Sequence, residues 1–133
     1  REGAYLDAIY FCLHHPHKGY EGERPELKFD CDCRKPKPGM LLKAVQDFNI
    51  DLAQSWMIGD GENDVKAGQN AGCQTALIGN ETYGQTVTVS SLKDFVEQCW
   101  TEEKDKFEKN KFKQPPEKSG GCFFYANLTS AAP

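Results

Sequence analysis

SWMIGDGENDVKAGQNAGCQTALIG, residues 55–79, changes its hydrophobic rhythm twice within one short span. SWMIG (Ser55 to Gly59) is a brief, continuous apolar run, which suits a buried strand better than a helix. The acidic loop DGEND follows, and the small residues after it predict a helix from about Asp64 to Ala71, capped by Asn63 and ended by Gly72. QTALIG (Gln74 to Gly79) then returns to the strand rhythm.

The same alternation continues outward. GMLLKAVQDF (Gly39 to Phe48) carries Leu41, Ala44, Val45 and Phe48 at helical spacing, with Asn49 as a stop. LDAIYFC (Leu6 to Cys12) is apolar and partly aromatic and predicts another buried strand, as does TVTV (Thr86 to Val89). SSLKDFVEQCW predicts a helix with Leu92, Phe95, Val96, Cys99 and Trp100 along one face and Ser91 and Asp94 as a capping box. Strands alternating with helices argue for an α/β domain with a parallel sheet, whose ligands gather beyond the carboxyl ends of its strands. Both Cys12 and Asp60 are expected there.

Composition limits the function classes. The chain has 133 residues, 38% hydrophobic and 27% charged, with a net charge of -4. That length suits one domain, and the charge gives no basic footprint for nucleic acid or anionic lipid. No apolar run reaches the length of a membrane span, and no secretory pattern opens the chain, so a reduced, cytoplasmic setting is expected. In such a setting the cysteines Cys12, Cys31, Cys33, Cys73, Cys99 and Cys122 read as metal ligands or free thiols rather than disulfides. The triplet Asn127-Leu128-Thr129 fits a glycosylation sequon but means little without a secretory signal. We expect residues 1–100 to form the domain and residues 101–133, dense in Lys and Glu, a charged linker or tail. CFFYANL, near its end, is apolar enough to begin a further element.

Residues 13–38 are irregular, with His14, His15, His17, Pro16, Pro25, Pro36 and Pro38 among them. A connection this long needs something to pin it. Residues two apart in an extended segment point the same way, so Cys12 and His14 can converge, as can Cys31 and Cys33. Together they supply the four soft or borderline ligands of a closed zinc site. His15 faces the other way and His17 lies further along. The competing reading is incidental thiols with surface histidines.

Arg34, Lys35 and Lys37 follow the last of these cysteines. Metal at Cys33 would hold Arg34 and Lys35 on pinned backbone, as a phosphate site requires; the alternative is a solvated basic face. In GDGEND, Asp60 ends a strand and Asp64 opens a helix. Carboxylates so placed suit Mg²⁺, which keeps waters for a phosphate to replace. The competing reading is an acidic turn, with Asp64 favouring the helix dipole.

FCLHHP, DCDCRKPKPGMLLKA and SWMIGDGENDVKAGQNAGC, taken together, resemble the second half of haloacid dehalogenase superfamily phosphatases. The resemblance runs from about Tyr5 to Glu97 and is nearest the branch containing D-glycero-D-manno-heptose 1,7-bisphosphate phosphatase and histidinol phosphatase. It implies a Rossmann-like parallel sheet with a zinc-binding loop on Cys12, His14, Cys31 and Cys33. It further implies that Lys35 neutralises the nucleophile and phosphate, that Arg34 binds substrate, and that Asp60 ligates magnesium with Asp64 in support. The substrate implied is a sugar bisphosphate. One departure stands out: the resembling enzymes carry an Asp-x-Asp nucleophile after the first strand and a hydroxyl motif after the second. Asp30-Cys31-Asp32 has the letters but neither a strand before it nor the small hydroxyl residue after it. The expectation is therefore a domain incomplete at its N-terminus, whose missing segment is its principal partner. The alternatives are a histidinol-phosphate phosphatase and a non-catalytic zinc-stabilised module of a fusion.

Overall fold

The computed structural model describes residues 6–100 and 123–125, the last three as backbone. Its elements are α1 (Gly39–Phe48), β1 (Trp56–Gly59), α2 (Glu62–Ala71), β2 (Gln74–Ile78), β3 (Val87–Val89), α3 (Leu92–Phe95) and β4 (Phe123–Tyr125). The strands form one parallel sheet in the order β3-β2-β1-β4. The α/β expectation is met, with β1, α2 and β2 as the central crossover unit. Among the described residues no helix is long and apolar enough to cross a membrane.

Strand β1 is buried along its whole length and sorts its side chains by alternation. Trp56 and Ile58 join Ala76, Val89 and Phe95 on one face, where the Trp56 and Phe95 rings meet edge to face at 5.1 Å. Met57 points the other way, to Leu41 of α1 and Ala67 of α2. Each such side chain, once buried, contributes roughly 1.5–3 kcal/mol. Gly68 lets α2 lie directly on the sheet: a Cβ there would come within 2.6 Å of the Met57 and Thr75 side chains.

Helix α1 runs as expected from Gly39 to Phe48, and Asn49 ends it in the left-handed conformation. Helix α2 ends at Gly72 as expected but begins at Glu62, capped by Gly61 rather than Asn63. The reason is Asp64, whose carboxylate accepts from the backbone N–H groups of Asp60 (3.2 Å) and Gly61 (3.1 Å), satisfying donors ahead of the first turn. In α3, Ser91 caps Asp94 N–H at 3.1 Å, but the Asp94 carboxylate accepts from Ser90 rather than Ser91. Helical spacing placed Leu92 and Val96 on the core face. Both are exposed, because α3 lasts one turn and the chain continues as a π-turn over Val96–Trp100, which breaks the helical spacing.

The largest correction concerns Leu6 to Cys12, which is no strand and is not buried. Leu6, Ile9, Phe11 and Leu13 are 63–77% exposed. Among the described residues the edge of β1 is taken by β4, and Leu6 to Cys12 pairs with no strand. Cys12 consequently lies in a loop rather than beyond a strand end. The alternation survives in part: Tyr10, Cys12 and His14 turn inward, and the Tyr10 hydroxyl donates to Asp47 Oδ2 on α1 at 2.6 Å. β4 falls within the apolar CFFYANL stretch, while the rest of the charged tail, Cys122 and the Asn127 triplet lie outside the described residues.

Candidate functional site

Cys12, His14, Cys31 and Cys33 bring one donor atom each within 4.8 Å of one another. Cys33 Sγ is 3.1 Å from both Cys12 Sγ and Cys31 Sγ, and Cys12 Sγ is 3.5 Å from Cys31 Sγ. The His14 Nδ1 atom completes the cluster at 3.3 Å from Cys33 Sγ and 3.8 Å from Cys12 Sγ. These separations are far beyond a disulfide's ~2.05 Å. The sulfur–sulfur distances are about 0.3–0.7 Å shorter than the ~3.8 Å sulfur spacing of a tetrahedron with Zn–S near 2.3 Å. The donor set and spacing fit a four-ligand metal site.

Burial pushes the Cys33 thiol up, and hydrogen bonding and repulsion from Cys12 and Cys31 carry it to about 12. Burial also raises Cys31, but hydrogen bonds from Cys33, Cys12 and His14 outweigh it and bring that thiol down to about 6.

Arg34, Lys35, Pro36 and Lys37 form the turn that leaves this cage, closed by Lys37 N–H donating to Arg34 O at 3.0 Å. The Lys35–Pro36 peptide is cis. Arg34 Nη1 donates to the carbonyl of His14 at 3.0 Å, so the guanidinium is tied to the backbone of a cage residue. Lys35 reaches the other way, its Nζ 2.5 Å from Asp64 Oδ1. The Lys35 side chain is 17% exposed and that of Asp64 is 0% exposed. Asp64 thus spends one oxygen on the cation and the other on the amides that shape the β1–α2 loop. Asp60 stands exposed at the carboxyl end of β1. Gly59, just before it, has no room for a side chain, since a Cβ would come within 2.4 Å of Asp64 side-chain atoms.

The structure therefore brings Cys12, His14, Cys31 and Cys33 together, and through Lys35 it joins their loop to Asp64 and the Asp60 loop. Lys37 stands apart, paired with Asp30 at 2.7 Å and 3.8 Å from Asp32, whose side chain is fully exposed. Three further residues escaped the sequence reading. Gly39 donates its N–H to Asp32 O at 3.0 Å and leaves no space for a Cβ against that carbonyl. Phe29 packs against the His14 ring in a tilted arrangement, centroids 4.3 Å apart. Asn70, on α2, donates to Pro36 O at 3.0 Å. Only Gly39 carried a signal, a glycine opening a helix directly after Pro38.

Residues 32–96 match the model of the HAD-hydrolase-like family. This part of the chain is similar to haloacid dehalogenase-like hydrolases. A D-glycero-beta-D-manno-heptose-1,7-bisphosphate 7-phosphatase of Haemophilus ducreyi is 47% identical over 76 residues, covering 57% of this chain and 39% of that protein. The corresponding alpha-heptose enzyme of Burkholderia mallei is 46% identical over 77 residues, 58% of this chain and 39% of its own. The Salmonella typhi beta-heptose enzyme is 38% identical over 91 residues, 68% of this chain and 46% of its own. The chain thus spans under half the length of these relatives. The Lys35–Asp64 pair and Asp60 fall inside the matched residues, while Cys12, His14 and Cys31 precede them.

Proposed function

We propose that this chain forms part of a magnesium-dependent phosphatase that removes one phosphate from a sugar bisphosphate, D-glycero-D-manno-heptose 1,7-bisphosphate, in the cytoplasm. The observation that carries the reading is a single ammonium, Lys35 Nζ, fixed on buried Asp64 next to the loop that presents Asp60. Anions need a pre-placed cation whose own position costs nothing at the moment of reaction, and this pair provides one.

In this reading an aspartate supplied by a segment upstream of Leu6 attacks phosphorus, the sugar oxygen leaves, and water hydrolyses the aspartyl-phosphate. Magnesium, held by Asp60, would counter phosphoryl charge. Lys35 Nζ donates to the phosphoryl oxygens as charge redistributes, and Arg34 binds the substrate's second anionic group. Cys12, His14, Cys31 and Cys33 would hold zinc in a structural role, outside the bond making, and so fix the loop that carries Arg34 and Lys35. Asp30 pairs with Lys37 at 2.7 Å and Asp32 is fully exposed, and this reading gives neither a catalytic role.

In protein carrying that upstream segment, Lys35→Ala is expected to lower kcat about a hundredfold, with a smaller change in KM, because the lysine acts on developing charge. Arg34→Ala should chiefly raise KM, and Asp60→Asn should raise the magnesium concentration needed for half-maximal rate. Steady-state kinetics on both heptose anomers, with histidinol phosphate as the competing substrate, measure all three. Full turnover by Lys35→Ala would remove the assignment, and preference for histidinol phosphate would replace the substrate.

A further inference from the structure

Helix α2 grips the Arg34–Lys37 turn at a second point. Asp64 holds the Lys35 ammonium, but a four-carbon stem fixes the charge without fixing the backbone beneath it. Asn70, six residues along and about 9 Å further down the helix, donates Nδ2–H to the carbonyl of Pro36, the residue after Lys35, at 3.0 Å. We propose that Asn70 is a positioning residue for Lys35, holding the turn's backbone so that the ammonium stays aimed at the anion site. This rests on the reading of Lys35 as the phosphate-facing cation.

Three observations support the assignment. Arg34 is anchored on the opposite side, to His14 O, so the turn is spanned between the cage and α2 with Lys35 at its middle. Pro36 has no N–H and offers only its carbonyl for a backbone hold. Asn is also a weaker helix former than Ala, so its place in the last turn of α2 is not explained by helix formation. A role confined to the helix would make Asn70→Ala neutral or stabilising.

The test uses the chain as purified, with lysine acetylation by an N-hydroxysuccinimide ester followed by peptide mass spectrometry. Asn70→Ala and Asn70→Asp, the latter matched in shape but lacking the donor, should each raise the Lys35 acetylation rate about three- to tenfold, the equivalent of one hydrogen bond. Lys66, exposed on the same helix and paired with Glu62, serves as the internal reference and should not change. An unchanged Lys35 rate in both variants, or a parallel rise at Lys66, would overturn the positioning role. A separate arm titrates inorganic phosphate with magnesium against wild-type acetylation. Failure of phosphate to protect Lys35 would sink the anion-site reading, whereas the variants alone judge the clamp.

Discussion

A Cys33→Ser chain is expected to leave purification with its zinc largely gone, while wild type retains one zinc per chain. Cys33 makes the shortest set of contacts in the cluster, lying 3.1 Å from Cys12 and Cys31 and 3.3 Å from His14. A serine oxygen in its place is a poor ligand for a borderline-soft ion. The energetic stake is large: structural zinc binding is worth about 10–16 kcal/mol at neutral pH, comparable with or above the roughly 5–15 kcal/mol that holds a whole domain together. Outside the four donors and the Asp32–Lys37 turn, residues 15–30 are ordered by local contacts such as a short 3-10 turn at Pro25–Leu27, the His15 N–H bond to Leu27 O, the Glu23 bonds to Gly19 and Tyr20 and the Lys28–Glu23 pair. Limited proteolysis should therefore cut this loop in Cys33→Ser and spare it in wild type. Cys73→Ser and Cys99→Ser should keep their zinc, since neither belongs to the cage. Metal analysis by mass spectrometry decides the matter; a full complement of zinc in Cys33→Ser would refute the ligand set.

Asp64→Asn is the second large effect, and here the loss is in folding stability. The native carboxylate serves three donors at once, and an amide has only one oxygen. Whichever way the substituted side chain turned, its NH₂ would face either the Lys35 ammonium or the Asp60 and Gly61 amides. Removing one partner of a buried pair typically costs about 3–5 kcal/mol. A urea midpoint shift of that order is expected, little altered by salt because the pair is shielded from solvent. A loss below about 1 kcal/mol, the range of an exposed pair, would mean that Asp64 is not carrying the loop.

The strand–helix–strand unit was legible because its signals are local: β1 is apolar throughout, α2 is bounded by glycines, and α1 keeps a helical stripe. The convergence of Cys12, His14, Cys31 and Cys33 was legible for a similar reason, since the two-residue spacings constrain which side chains meet even without a strand. Leu6 to Cys12 misled because an apolar alternating run states a preference for a sheet, not whether a neighbour will be free to pair. Asp64's double duty and Asn70's reach to Pro36 span 29 and 34 residues of sequence respectively, and no pattern in either segment announces the other.

The bond from Arg34 to the carbonyl of His14 has a further thermodynamic meaning. If the four-donor cluster holds zinc and Arg34 binds an anion, as proposed, that bond links the two as ends of one lever, and coupling between binding sites is reciprocal. If holding the metal steadies Arg34 for an anion, an anion on Arg34 must tighten the metal by the same factor. Zinc release to a chelator should then slow when a sugar bisphosphate is bound, making metal retention a gauge of substrate supply.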